Sequence, residues 1–432
     1  MKFIDLFAGL GGFHLALSRL GHECVFASEI KPKLQKLYKI NFPNVPIHGD
    51  ITKIRVEDIP DHDILCGGFP CQPFSYAGKR MGFGDTRGTL FFEIERLLEK
   101  YRPKAFLLEN VRGLYTHDKG RTFNTIMDKL HGLGYGTYDL LQNSSNFGVP
   151  QNRVRLYIVG ILGATPEMGL VTDLGAADSH KYKQNSLELS LFDEKPRCRV
   201  GDVLEPEVDE KYYCSDKFQQ MLHEAVGDDL SVLHGYRLID YRGGQSLHSW
   251  ELGMKGKCSD AEIRFMNALI QNRRKPIFGK EQDGKKLTLE QIKTFYTAPD
   301  IEDVIVSLLE KRYLQVNEDG KYNPVCGNMS FEVFKFLDPD SISVTLTSSD
   351  ANRLGVIQHN RARHITPREC ARLQGFPDTF RLHPTDSWSY KQFGNSVSVP
   401  VVEAVFNEFI KNNVLVLGWG DTNTHSIRCV NE

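Results

Sequence analysis

The first third of this chain is punctuated in a way that leaves few folds open to it. Short apolar runs each stop at a glycine turn or a carboxylate, and helical spacing fills the gaps between them. Residues 3–6 run into Gly9, Gly11 and Gly12; residues 24–28 end at Glu29; residues 45–51 close around Asp50; residues 63–66 open onto Gly67; residues 105–108 run into Glu109. Between the last two runs, Leu90, Phe91, Ile94, Leu97 and Leu98 recur at the spacing of one helix face. Apolar runs too short for helices, alternating with amphipathic helices, predict an α/β fold whose parallel sheet is covered on both sides. In such a sheet ligands gather at the carboxyl ends of the strands.

Those ends carry the chemistry. The turn at Gly9, Gly11 and Gly12 lets backbone approach a ligand and opens a helix N-terminus. By itself it is equally a plain strand-to-helix turn. Glu29 at the end of the second strand suits a ribose hydroxyl pair, and Asp50 closes the third, so together they point to an adenosine-type cofactor across the strand tips. The fourth strand delivers Cys71 in the stretch GGFPCQPFS, followed by a loop rich in Gly, Lys and Arg that reads as a mobile basic lid. Glu109 is expected at the same sheet edge as Cys71 if their strands are parallel neighbours. Arg153 and Arg155 alternate in an extended segment and so point the same way; paired surface arginines are the plain alternative.

The chain has 432 residues, 41% hydrophobic and 25% charged, enough for two or three cores. Its net charge of -2 makes any nucleic-acid surface local. Residues 1–5 begin directly as a strand, without a leader pattern, and no apolar run approaches a membrane span. The nine cysteines show no paired or zinc-type spacing, so reduced thiols and no metal are expected. Alternation of strand and helix stops beyond about residue 206. There, residues 287–297, 301–313 and 314–322 read as helix, helix and hairpin, the order of a winged helix, or as two packing helices with an edge hairpin. Arg273 and Arg274 in a basic, amide-rich run suit DNA contact or a solvated face. Near the end, Thr366, Pro367 and Glu369 have the pattern of a capping box, and Asn395 and Ser396 precede an apolar helix that they would cap.

A thiolate adds to C6 of a pyrimidine and leaves again, and that addition turns C5 of cytosine into a carbon able to attack an electrophilic methyl group. A carboxylic acid at N3 supplies the proton that relieves the charge, and burial at the end of an apolar strand would raise the pKa of Glu109 for that task. An arginine at the carbonyl oxygen would stabilise the same charge.

The order and wording of DLFAGLGG, GGFPCQPFS, ENVRGL, QNRVR, RECARLQGFP and QFGNSV closely resemble the bacterial DNA (cytosine-5-)-methyltransferases of restriction-modification systems. The resemblance covers about the first 165 residues and about the last 70. It implies a Rossmann-like S-adenosylmethionine-dependent domain over residues 1–205, a smaller target-recognition domain with hinge over 206–390, and a segment 391–432 that returns to complete the first domain. It further implies that Cys71 is the covalent nucleophile, Glu109 the acid at N3, and Arg153 and Arg155 the arginines supporting the site. S-adenosyl-L-methionine would lie against Phe7, Ala8, Gly9, Gly11 and Gly12, with Glu29 on the ribose, Ile30, Asp50, Ile51 and Pro70 nearby, and Asn395, Ser396 and Val397 closing the pocket. Ser75, Lys79, Arg80, Arg87, Arg273 and Arg274 would meet DNA, whose target cytosine must be flipped out for C6 to be reached. The partner implied is double-stranded DNA, for a monomer in the bacterial cytosol and nucleoid, with a restriction endonuclease acting on the same site without stable association. One departure stands out: after the ribose-binding acid some members carry Trp, where this chain has Ile30. An RNA cytosine-5 methyltransferase shares these motifs and is the alternative; it has no need of a long central domain.

Overall fold

The structure is a computed structural model that describes residues 1–70, 90–174, 198–279, 286–325 and 331–419. Cys71, Ser75, Lys79, Arg80 and Arg87, with the lid reading attached to them, lie outside the described residues. The chain divides into two compact units, Met1–Arg199 with Ile342–Ala351 and Pro367–Glu432, and Val200–Ser341 with Asn352–Thr366. The crossings fall at residues 199, 341, 351 and 366, not at 205 and 390.

The first unit begins β1 (Lys2–Leu6), α1 (Gly12–Arg19), β2 (Glu23–Ser28), α2 (Pro32–Asn41), β3 (Ile47–His48), β4 (Ile64–Gly68), α3 (Leu90–Tyr101), β5 (Ala105–Val111), α4 (Arg121–Gly132), β6 (Tyr135–Asn143) and β7 (Val154–Leu162). Its seven strands lie in the order β3-β2-β1-β4-β5-β7-β6, with β7 antiparallel to both neighbours and the rest parallel. Ala105, Phe106, Leu107 and Leu108 are all fully buried, because helices cover both sheet faces and leave no solvent side to alternate with. The α3 side chains Phe91, Ile94, Leu97 and Leu98 enter one core with Ile126 and Leu130 of α4. Each such burial contributes roughly 1.5–3 kcal/mol. Since β1 has β2 on one side and β4 on the other, the order reverses there and a crevice opens beyond its carboxyl end.

The second unit holds α5 (Asp216–Val226), β8 (Arg237–Leu238), β9 (Ser246–Leu247), α6 (Asp260–Asn272), α7 (Leu289–Lys293), α8 (Ile301–Glu310), β10 (Leu314–Val316), β11 (Tyr322–Pro324), β12 (Lys335–Phe336), β13 (Leu354–Gln358) and β14 (Arg361–His364). The helix, helix, hairpin order is present, and Leu287 bridges Tyr322 to add a third extended segment to the hairpin. Phe265, Leu269, Ile292, Val304, Leu308 and Tyr313 close a core of their own there. The exposed residues of α8 include Glu302, Asp303 and Glu310, so its face has the charge that repels phosphate. Arg273 is only 2% exposed, packed inside the unit and not offered to a DNA backbone. Arg274 is half-buried, with its guanidinium 6.0 Å from the Tyr241 ring.

Back in the first unit come α9 (Pro367–Leu373), α10 (Asp386–Asn395), α11 (Val399–Asn412) and α12 (Val414–Leu417). Helix α11 packs on α1, bringing Val397 so close that a Cβ at Gly12 would lie 2.4 Å from it. Pro367 opens α9 as its pattern predicts. Asn395 and Ser396 do not cap α11, whose N-cap is Ser398.

Candidate active site

Beyond the carboxyl ends of β1, β2, β4 and β5 lies a cavity of about 620 Å³. The sequence forms it locally through turns that few residues tolerate. Gly9 and Gly11 take φ of 56° and 80°, and Phe7 holds φ 57° without glycine's freedom, a strain of roughly 1–3 kcal/mol. Phe7, Ala8, Gly9 and Gly12 line the cavity. Gly11 does not: a Cβ there would meet the Phe42 ring at 2.4 Å, so its role is close packing.

Glu29 is 8% exposed, and its two carboxylate oxygens accept from the backbone N–H of Gly9 at 3.1 Å and of Lys31 at 2.9 Å. These bonds hold it rigid and still leave lone pairs for a ligand hydroxyl. Asp50 accepts from the Thr52 backbone and hydroxyl through one oxygen, at 3.1 and 2.8 Å. Ile30, Asp50, Ile51, Pro70, Asn395, Ser396 and Val397 line the cavity as well. Asn395 is exposed to the cavity mouth, while Ser396 and Val397 are buried.

At the other end Glu109, Arg153 and Arg155 line the cavity together. Glu109 is the register partner of Gly68, and a Cβ at Gly68 would lie 3.4 Å from its Oε2. The acid thus stands over the strand end that leads, three residues on, to Cys71. Burial raises its pKa above the ordinary carboxylate value, while the Arg155 and Arg153 charges act against that rise. Arg155 Nε is 3.2 Å from Glu109 Oε1.

Arg153, expected with Arg155 to support the site, also lines the cavity but is engaged by backbone carbonyls. Its guanidinium, 2% exposed, donates to the carbonyl oxygens of Leu346 at 2.9 Å, Ser396 at 2.5 Å and Gly394 at 3.4 Å. Burial lowers its pKa to about 9. This arginine is a positioning residue that ties the returning chain to β7. Arg153→Ala is expected to destabilise the protein by about 3 kcal/mol or more, because buried carbonyls lose a charged donor. A chemical denaturation midpoint matching wild type would contradict that role.

Two neighbours escaped the sequence reading. Asn110, 3% exposed, donates from Nδ2 to the Phe69 carbonyl at 3.0 Å and so anchors the approach to Cys71. Gln151, fully buried, donates to Leu373 O at 2.8 Å and accepts from Leu346 N at 2.9 Å. The signal for both was an amide abutting an apolar strand, where burial demands partners.

Elsewhere, in the second unit, Cys214, Glu332 and His364 bring ligand-type atoms within 4.8 Å of one another, which spacing along the chain conceals. Glu332 accepts from the backbone and hydroxyl of Ser215, at 2.9 and 2.5 Å. His364 Nδ1 sits 2.9 Å from Asn352 O, and burial pushes the Cys214 thiol up to about 12. A protonated thiol beside a carboxylate already engaged at the α5 N-terminus makes this a hydrogen-bonded knot.

A doubly wound sheet with a glycine turn, strand-end carboxylates and a cavity at the switch point defines a Rossmann-like methyltransferase fold. The chain belongs to the C-5 cytosine-specific DNA methylase family, whose sequence model matches residues 1–411, and it is a DNA (cytosine-5-)-methyltransferase. It is 61% identical over 420 residues to Type II methyltransferase M.BanI of Aneurinibacillus aneurinilyticus, covering 96% of each chain. Identity to Type II methyltransferase M.HgiCI of Herpetosiphon aurantiacus is 60%, over 95% of this chain and 98% of that protein. The fold is shared with the S. pombe Dnmt2 methyltransferase, at TM-score 0.57 and 18% identity over 95% of this chain and 98% of that one. It is shared also with a prophage-encoded DNA modification methyltransferase of E. coli, at TM-score 0.53 and 23% identity over 95% and 99%. The family implies S-adenosylmethionine as methyl donor. The cavity suits it: rigid Glu29 for a ribose, apolar Phe7, Ile30 and Ile51 for a purine, and room for the whole molecule. Among the described residues no helix is long and apolar enough to cross a membrane.

Proposed function

We propose that this enzyme methylates C5 of one cytosine within a short sequence of duplex DNA, as the modifying half of a Type II restriction-modification system. The relatives are named as Type II methyltransferases, and the match extends through the central unit, where a target-reading region is needed. The observation that carries the chemistry is the placing of Glu109 beside Arg155 and over Gly68 in the cavity that also holds Glu29.

The target base is flipped out of the stack, since C6 is otherwise out of reach. Cys71 as thiolate forms a bond to C6; Glu109, whose pKa burial raises, gives a proton to N3 as charge develops there; Arg155 holds the carboxyl group in line. S-adenosylmethionine, when bound, supplies the methyl group that C5 takes up. Glu29 and Asp50 would hold its ribose and adenine ends, and Asn395 to Val397 its outer edge. A base then removes the C5 proton, the C6–S bond breaks with Cys71 leaving as thiolate, and N3 returns its proton to Glu109, S-adenosylhomocysteine being the other product. The enzyme works as a monomer in the bacterial cytosol on nucleoid DNA, protecting host sites from an endonuclease that reads the same sequence without binding it stably.

Duplex affinity should weaken steeply with salt, because the lid cations Lys79, Arg80 and Arg87 would displace counterions from phosphate. A dissociation constant unchanged between low and physiological salt would remove the lid from the interface. The function itself is tested by expressing the chain in a methylation-free host and sequencing its DNA with discrimination of 5-methylcytosine. One short motif modified throughout is the expected result. Unmodified DNA, with soluble protein that still binds S-adenosylhomocysteine, would favour RNA as substrate.

A further inference from the structure

The residue after Glu29 is Ile30, 63% exposed although it lines the cavity, so an aliphatic side chain with open space beside it stands at the purine end. A branched aliphatic covers a purine face poorly, and base-on-aromatic stacking is worth much more. Part of the lining comes from a distant part of the chain. Trp388, in the first turn of α10, lines the same cavity and is half-buried. Lys33, only three residues beyond Ile30, has its Nζ 4.2 Å from the Trp388 ring centroid. The Lys33 cation over one face of the indole links α10 to the segment that follows Ile30. His383 stands 5.9 Å from it, on the loop that leads into α10.

We infer that Trp388 is an aromatic wall of the adenine subsite, supplied by the returning helix in addition to Phe7 of the glycine turn. The inference rests on the cofactor reading of this cavity. It makes closure of the C-terminal segment a condition of cofactor affinity: α10 bears the ring, and its end is tied to β7 through Arg153.

The chain has three tryptophans, which makes the test direct. Trp250 is fully buried in the second unit, and Trp419 does not line the cavity. Titration of wild type with S-adenosylhomocysteine should change tryptophan fluorescence, and Trp388→Phe should abolish the change while binding, by calorimetry, within a few-fold of wild type. Trp388→Ala should weaken binding by roughly 5- to 150-fold. Adding Ile30→Trp to it should recover most of that loss, which a merely structural tryptophan would not allow. Wild-type affinity in Trp388→Ala, or an undiminished fluorescence response in Trp388→Phe, would overturn the inference and leave the cofactor pocket standing. If wild type itself failed to bind S-adenosylhomocysteine, the pocket reading would fall and this one with it. Should Trp388→Ala lose its fold, the fluorescence comparison of wild type with Trp388→Phe still decides.

Discussion

Replacing Cys71 by serine is expected to abolish methyl transfer to DNA, by on the order of 10⁴-fold or more, the scale on which enzymes lose activity without their covalent nucleophile. A thiol ionises near pH 8.5 and leaves readily from carbon, whereas a serine hydroxyl does neither at neutral pH. The fully buried thiols of the same unit cannot stand in. Cys66 on β4 and Cys370 on α9 are fully buried, and burial holds both far above the range in which a thiolate forms. Labelled methyl incorporation into duplex DNA should be undetectable, while gel shift and S-adenosylhomocysteine calorimetry match wild type. Activity within tenfold of wild type would remove Cys71 from the mechanism.

Glu109→Gln should lower the methylation rate by roughly 10²–10⁴-fold, the usual contribution of a positioned general acid, with little change in cofactor affinity. The amide keeps the shape and loses the proton. Wild-type turnover should fall as pH rises through the elevated pKa of Glu109, and the variant's residual rate should lack that limb. The same ionisation reaches stability. A carboxyl whose pKa is raised by folding binds more protons when folded than when unfolded between the two values. Its stabilisation is complete below 4.5, the ordinary value, and is lost as pH climbs through the raised one. Glu109→Gln should flatten that decline in a pH series of melting temperatures. An unchanged rate, or a variant with the wild-type pH limb intact, would assign the proton to another group.

The alternation of apolar runs with helical spacing was enough for the sheet, because a run stopped by glycine or acid has one economical packing, buried between helices. Glu29 and Glu109 were legible for the same reason: a carboxylate at the end of such a run must stand at the ligand edge. That Gly11 serves close packing was not legible, because a glycine needed for φ of 80° and for contact with Phe42 looks, in one dimension, like a glycine needed for a ligand. The burial of Arg273 was not legible either, because a basic run suggests solvent until the fold shows that one member is buried.

The sequence by itself determined the strand order's raw material, the reactive groups at the strand tips and their chemistry, since these depend on residue type and on neighbours close along the chain. Only the tertiary structure decided which arginine meets Glu109 and which clamps the returning segment. Residues 153 and 155 are alike in spacing and charge, and what separates them is the set of carbonyls from Leu346, Gly394 and Ser396 around one of them. Those carbonyls are contributed from far along the chain, and so is the indole of Trp388. Periodicity carries information over a few turns or strands; a wall built from both ends of a chain exists only once the core has brought them together.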